Sequence, residues 1–190
     1  RSMADLALGI YLPSPNQKPR MSFAGLLDEV SLHDRALSEV EIQRLYGAHA
    51  QAQWLGDGNA NDATRGGNDG VVVRRVAFAP GVAGQAFSFD GEGGYVELNS
   101  RIGNVGLGDF ALELWLWRDR MQSEPILVRS LDDEHMLELH IDEEGRVEVL
   151  LNGERFTSAQ TVSVATWHHL VLERAGAEIG LYIDGRRDID

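Results

Sequence analysis

The chain has 190 residues, 43% of them hydrophobic, enough to bury a sizeable core in one large domain or two small ones, and one domain is the expectation. A formal charge of −13 argues against nucleic acid and anionic membrane surfaces as partners, since both need clustered Lys and Arg. There is no cysteine, which excludes disulfides and thiolate zinc sites; no apolar run approaches the roughly 20 residues of a membrane span, so no membrane insertion is expected.

The 21 glycines, the 5 prolines and the many short apolar stretches broken by turn dipeptides read as an all-β, two-sheet antiparallel sandwich. Arg1-Ser2-Met3 reads as an internal cut, so the chain is expected to be a piece of something longer. "FAGLLDEVSLHDRALSEVEIQRLYGA", residues 23–48, has the form of a closing strand followed by one short helix near residues 38–46. Ser38 and Glu41 make a capping box, Leu37 and Ile42 a hydrophobic staple, and Gly47 is placed to end the helix. Val40, Ile42 and Leu45 give it a narrow apolar stripe. Two turns do not stand alone in water, so this helix must dock on the sandwich.

Residues 49–53 lack both strand periodicity and turn chemistry and read as a linker. From Trp54 runs the glycine-rich segment "WLGDGNANDATRGGNDG". Asp57 to Asp62 carries oxygen side chains at alternate positions, as the first half of an EF-hand loop does. Asp62 then stands where glycine belongs and Asn68 where the bidentate Glu should be, so a turn-rich loop is the better reading.

"FALELWLW" alternates strictly, with Phe110, Leu112, Leu114 and Leu116 on one face and Ala111, Glu113, Trp115 and Trp117 on the other. The first face belongs in the core; the second is either packed under another layer or a ligand platform. From about Glu134 a meander of strands is expected, turning at Glu143-Glu144-Gly145, Asn152-Gly153 and Asp184-Gly185. Glu138, His140 and Asp142 share a strand face, yet Asp142 to Gly145 reads as a hairpin turn. His168 and His169 point to opposite faces of a strand and cannot bind one ion together.

These segments resemble the laminin-G-like, concanavalin A-like lectin/glucanase superfamily in its bacterial extracellular form. The resemblance rests on the Trp54 opening, "FAPGVAGQAFSFDGEGGYVEL", "FALELWLW", "TWHHLVLERAGAEIGLYIDG" and "FAGLLDEVSLHDRALSEVEIQRLY". It implies a jelly-roll sandwich with the family's segments in circularly permuted order: residues 54–190 carry its first and central strands, and residues 4–48 its last strands and helix. Residues 1–190 then form one domain, a monomer closed within its own chain or, alternatively, a domain-swapped dimer. A window cut from a tandem array gives the same order.

The resemblance further implies a non-catalytic, extracellular or cell-surface binding module, with a glycan or an extracellular protein as partner and a structural calcium ion. Asp28 and Asp90 match the positions that would supply carboxylates to calcium, Asp62 more weakly; the alternative is solvated turn and edge-strand acids. Trp115 and Trp117 are the candidate sugar-stacking residues, while Trp167 resembles a core position. The alternatives are a structural spacer repeat and, less favoured, a laminarinase-like glycoside hydrolase, whose close-spaced Glu, Asp, Glu pattern is missing around Glu138.

Overall fold

The computed structural model describes residues 6–11, 21–42, 50–64, 66–98, 108–130 and 136–189. Strands β1 (Leu6–Leu8) and β2 (Ala24–His33) precede a single helical turn, α1 (Glu39–Ile42). Then follow β3 (Ala52–Trp54), β4 (Val71–Val73), β5 (Val76–Pro80), β6 (Gln85–Asp90) and β7 (Tyr95–Leu98). The long β8 (Phe110–Arg118) leads to β9 (Glu124–Ser130), β10 (Met136–Ile141), β11 (Arg146–Leu151) and β12 (Glu154–Thr161). The last three are β13 (Trp167–Ala175), β14 (Glu178–Ile183) and β15 (Arg186–Ile189).

They form two antiparallel sheets, as expected. One has seven strands in the order β12-β11-β10-β9-β1-β7-β4; the other has the path β15-β14-β13-β8-β2-β6-β5, with β3 added on β2. Alternation sends every second side chain inward, and the two inner faces share one core. Leu8, Val96, Leu127 and Leu139 enter it from the first sheet, and Leu27, Phe87, Leu114, Leu116 and Leu170 from the second. Trp54 is fully buried, and its Nε1–H donates to the Asn68 carbonyl at 3.0 Å, so the ring fills core volume without orphaning its polar atom.

The first strands of the chain hold interior places. Leu8 of β1 lies between Val96 and Leu127, and Leu27 of β2 lies between Phe87 and Leu116. At Gly25 the backbone φ is 151°, and a Cβ there would run into the Trp117 carbonyl and the Phe23 ring. Glycine lets β2 approach β8 this closely. Further along, β2 carries a bulge: Asp28 faces Trp115 and Ser31 faces Glu113, three residues against two, with Glu29 at φ 50° taking up the extra one.

Three sequence expectations change. The supposed linker 49–53 contains part of a strand, since Ala52 and Gln53 pair with Leu32 and Ser31; residue 49 lies outside the described residues. The meander is divided, β10 to β12 in one sheet and β13 to β15 in the other. The helix keeps its capping box, with the Ser38 N–H donating to Glu41 at 2.8 Å and the Glu41 N–H to Ser38 Oγ at 3.3 Å. Of its expected apolar stripe Val40 is 54% exposed; the Ile42 side chain, Leu45 and Gly47 lie outside what is described. Docking falls to Leu37, which is buried against Ala111, Val171 and Tyr182 on the outer face of the second sheet.

Candidate functional site

That outer face carries the aromatic residues. Antiparallel register lines up Trp167, Trp117 and Leu26 in one cross-strand row, and His169, Trp115 and Asp28 in the next. The Trp117 and Trp167 rings meet edge to face at 6.0 Å, and Trp115 lies 4.9 Å from the His169 ring. His169 Nε2 is 2.9 Å from Glu113 Oε1, which fixes the imidazole beside the indole. All three indoles are half-buried: their flanks are packed and part of each ring faces solvent. Flat, partly dry rings with polar neighbours suit the apolar face of a pyranose or an aliphatic side chain.

Trp167 therefore is not in the core. Leu170 and Leu172 point inward, and strand alternation sends Trp167, His169 and Val171 outward. His168 faces the other way and acts as a clamp: its Nδ1 is 2.9 Å from Asp184 Oδ2, and its Nε2 accepts the Ser163 N–H at 3.0 Å.

The platform has two boundaries. Leu37 covers its far end through the Ala111–Val171–Tyr182 cluster. On the other side the loop around residues 81–84 folds over β2, held by Asp28 Oδ2, which accepts the Val82 N–H at 2.7 Å and the Ala83 N–H at 3.2 Å. Asp28 is a buried acid on an interior strand, so the edge-strand alternative fails as well. Burial pushes its carboxyl above the usual carboxylate range, only partly offset by these N–H groups.

The three acids proposed for calcium do not come together, and each accepts hydrogen bonds from its surroundings. Asp28 Oδ1 accepts the Glu29 N–H at 2.9 Å, so both its oxygens already face donors. Asp90 is exposed, accepts the Glu92 N–H, and pairs with Ala24, four residues along β2 from Asp28, or roughly 13 Å at strand spacing. Asp62 is the hub of the glycine-rich loop. Its Oδ1 accepts the Gln53 N–H, the Thr64 N–H and the Thr64 hydroxyl at 2.8 to 3.1 Å. Its Oδ2 accepts the Asn68 N–H and amide at 2.9 and 3.1 Å. Among the described residues no three His, Asp or Glu side chains converge as a metal site.

Those donors hold the Asp62 carboxyl below its ordinary value despite partial burial. Its contribution to stability is therefore complete above the unfolded value near pH 3.9 and is lost as pH falls through the lower folded value. Asp62→Ala should cost about 2–3 kcal/mol at pH 7 in urea denaturation, and the difference from the parent protein should shrink in strong acid.

Asp142 does not join Glu138 and His140. It sits in the β10–β11 hairpin turn, accepting the Arg146 N–H and Nε–H, each at 2.7 Å, while Glu138 and His140 line a groove on the outer face of the seven-stranded sheet.

Two stacked antiparallel sheets around one core define a β-sandwich. A family model of the laminin G type, described as the concanavalin A-like lectin/glucanases superfamily, matches residues 90–189, and the chain belongs to that superfamily. Laminin G-like domains bind carbohydrate or protein, are typically extracellular and are generally non-catalytic, within a superfamily that also contains glycosidases. Comparison with curated proteins and with solved structures returns no match.

Proposed function

We propose that the protein is a non-catalytic extracellular recognition module that binds the glycan of a cell-surface or secreted partner through Trp115, Trp117 and Trp167. The observation that carries this reading is the half-exposed aromatic row on the outer face of the second sheet, bounded by the Asp28-held loop and by Leu37. Asp142 being engaged by Arg146 in a turn favours binding over hydrolysis at Glu138. Calcium has no part in the reading, because the oxygens of Asp28 and Asp62 are already taken by N–H and hydroxyl donors. The reading includes closure within one chain in permuted family order, supported by the seat of β2 between β8 and β6.

Trp117→Ala should reduce glycan-array binding at least about tenfold, the scale of one lost stacking contact, and leave the melting temperature within a few degrees of the parent. A parent protein that binds no glycan, or a variant that binds as well as the parent, rejects the assignment.

A further inference from the structure

The outer face of the seven-stranded sheet carries a second feature, a groove of about 300 Å³ unconnected with the aromatic platform. Its floor is Glu138, only 7% exposed. His140 Nε2 lies 3.3 Å from its Oε2. That nitrogen is itself buried and has no hydrogen-bond partner. A buried imidazole nitrogen without a partner is costly, and this one stands beside a buried carboxylate. With the imidazole proton on Nδ1, the two atoms are acceptors facing the same space, and both are satisfied by one group that donates more than one proton.

The rest of the groove narrows the choice. The Tyr11 ring packs edge-on against His140, with centroids 5.7 Å apart, and the Tyr11 N–H donates to the Met21 carbonyl, so the ring lines the groove beside the imidazole. Met21 and Leu150 supply apolar wall. Glu148 also lines the groove and is engaged by Arg155 at 3.1 Å, so two carboxylates stand against one guanidinium and the groove keeps a negative balance.

We infer that this groove binds a primary ammonium group on an aliphatic stem. The ammonium, with three donors, bridges Glu138 and His140 Nε2; the Tyr11 ring faces the cation; the methylene stem lies along Met21 and Leu150. A lysine side chain of a partner protein and a free diamine share this chemistry.

Amide-resolved NMR titration of the intact chain tests it with four probes: Nα-acetyl-lysine methylamide, its Nε-acetylated counterpart, 1,5-diaminopentane and a neutral glucose disaccharide. The two ammonium probes should shift the Tyr11 and His140 signals, and whichever binds more tightly identifies the source. Glu138→Gln should weaken the better probe at least about tenfold. Arg155→Ala, at an exposed position where folding is not at stake, should release Glu148 and tighten binding about threefold or more. The inference is overturned if the acetylated or neutral probe binds as well as the ammonium probes, if no probe shifts those signals, or if neither substitution changes affinity. The glycan assay on Trp117→Ala reads the other sheet, so the two assignments stand or fall separately.

Discussion

A chain lacking residues 1–48 is expected not to fold. Removing them takes β1 from between β9 and β7, and β2 from between β8 and β6, so each sheet loses an interior strand and exposes two new edges. The buried side chains of Leu6, Leu8, Ile10, Phe23, Leu27, Val30 and Leu32 leave with them. At about 1.5–3 kcal/mol for each, that loss is on the order of 10–20 kcal/mol, as large as the whole stability of an ordinary domain. Residues 49–190 alone should therefore show no cooperative thermal transition, and the 1–48 peptide added in trans should restore one. Closure within the chain requires the intact protein to run in solution at its monomer mass of 21.0 kDa. A stable dimer of twice that mass would mean that β2 is exchanged between copies.

The second large effect is expected at Arg118, which is fully buried at the end of β8. Its guanidinium donates to the carbonyls of Val162 at 3.1 Å, Gln122 at 2.9 Å and Asp142 at 3.3 Å, tying three loops at one end of the sandwich. Glu124, equally buried, lies with Oε2 3.8 Å from Arg118 Nε; its Oε1 is held by Arg120 and the Ala24 N–H. Burial depresses the guanidinium pKa and raises that of the carboxyl, which Arg120 and Arg118 together pull back down. Arg118→Met should cost about 3–5 kcal/mol in urea denaturation, because it leaves three buried carbonyls without their donor and removes one of the two guanidinium groups beside the buried Glu124. Adding Glu124→Gln should recover part of that loss. A double variant no more stable than the single would place the whole effect in the three carbonyl contacts.

What could be read in the sequence was what depends on near neighbours. Asn152-Gly153 and Asp184-Gly185 both take positive φ at the two turn positions, as a tight hairpin demands, and Ser38 and Glu41 exchange the bonds of a capping box three residues apart. The alternation of "FALELWLW" assigned the side chains of residues 110–117 to their correct faces. Trp167 was misplaced although the signal was present, since the inward phase of Leu170 and Leu172 sends it outward, where its ring meets Trp117. The platform itself needs register between β13, β8 and β2, strands that lie far apart in the chain.

Other features depend on contacts that composition does not encode. Asp62 looked like a weak metal ligand, because acidic residues in glycine-rich turns serve both as ion ligands and as loop hubs. Only the positions of Gln53, Thr64 and Asn68 distinguish the two roles. The Glu138 groove was half visible as a Glu-x-His pair. Tyr11 and Met21 come to it from more than a hundred residues upstream, and the chain offers no local hint of that meeting.

The place of β2 also governs how the protein is made. This strand of ten residues leaves the ribosome long before β6 and β8 exist; β3 can cover its Val30–Leu32 end early, but its remaining hydrogen-bonding positions stay bare until those strands follow. Assembly of the second sheet therefore waits on segments far along the chain and is slow, because its central pairings are among the most distant in the chain. In that interval Asp28 and Glu29 place two adjacent charges in the middle of an apolar run, the gatekeeping pattern that keeps a waiting strand from pairing with another nascent chain. Once β8 arrives, the same two residues form the bulge, and the charge that protected the strand in solution becomes the anchor of the 81–84 loop.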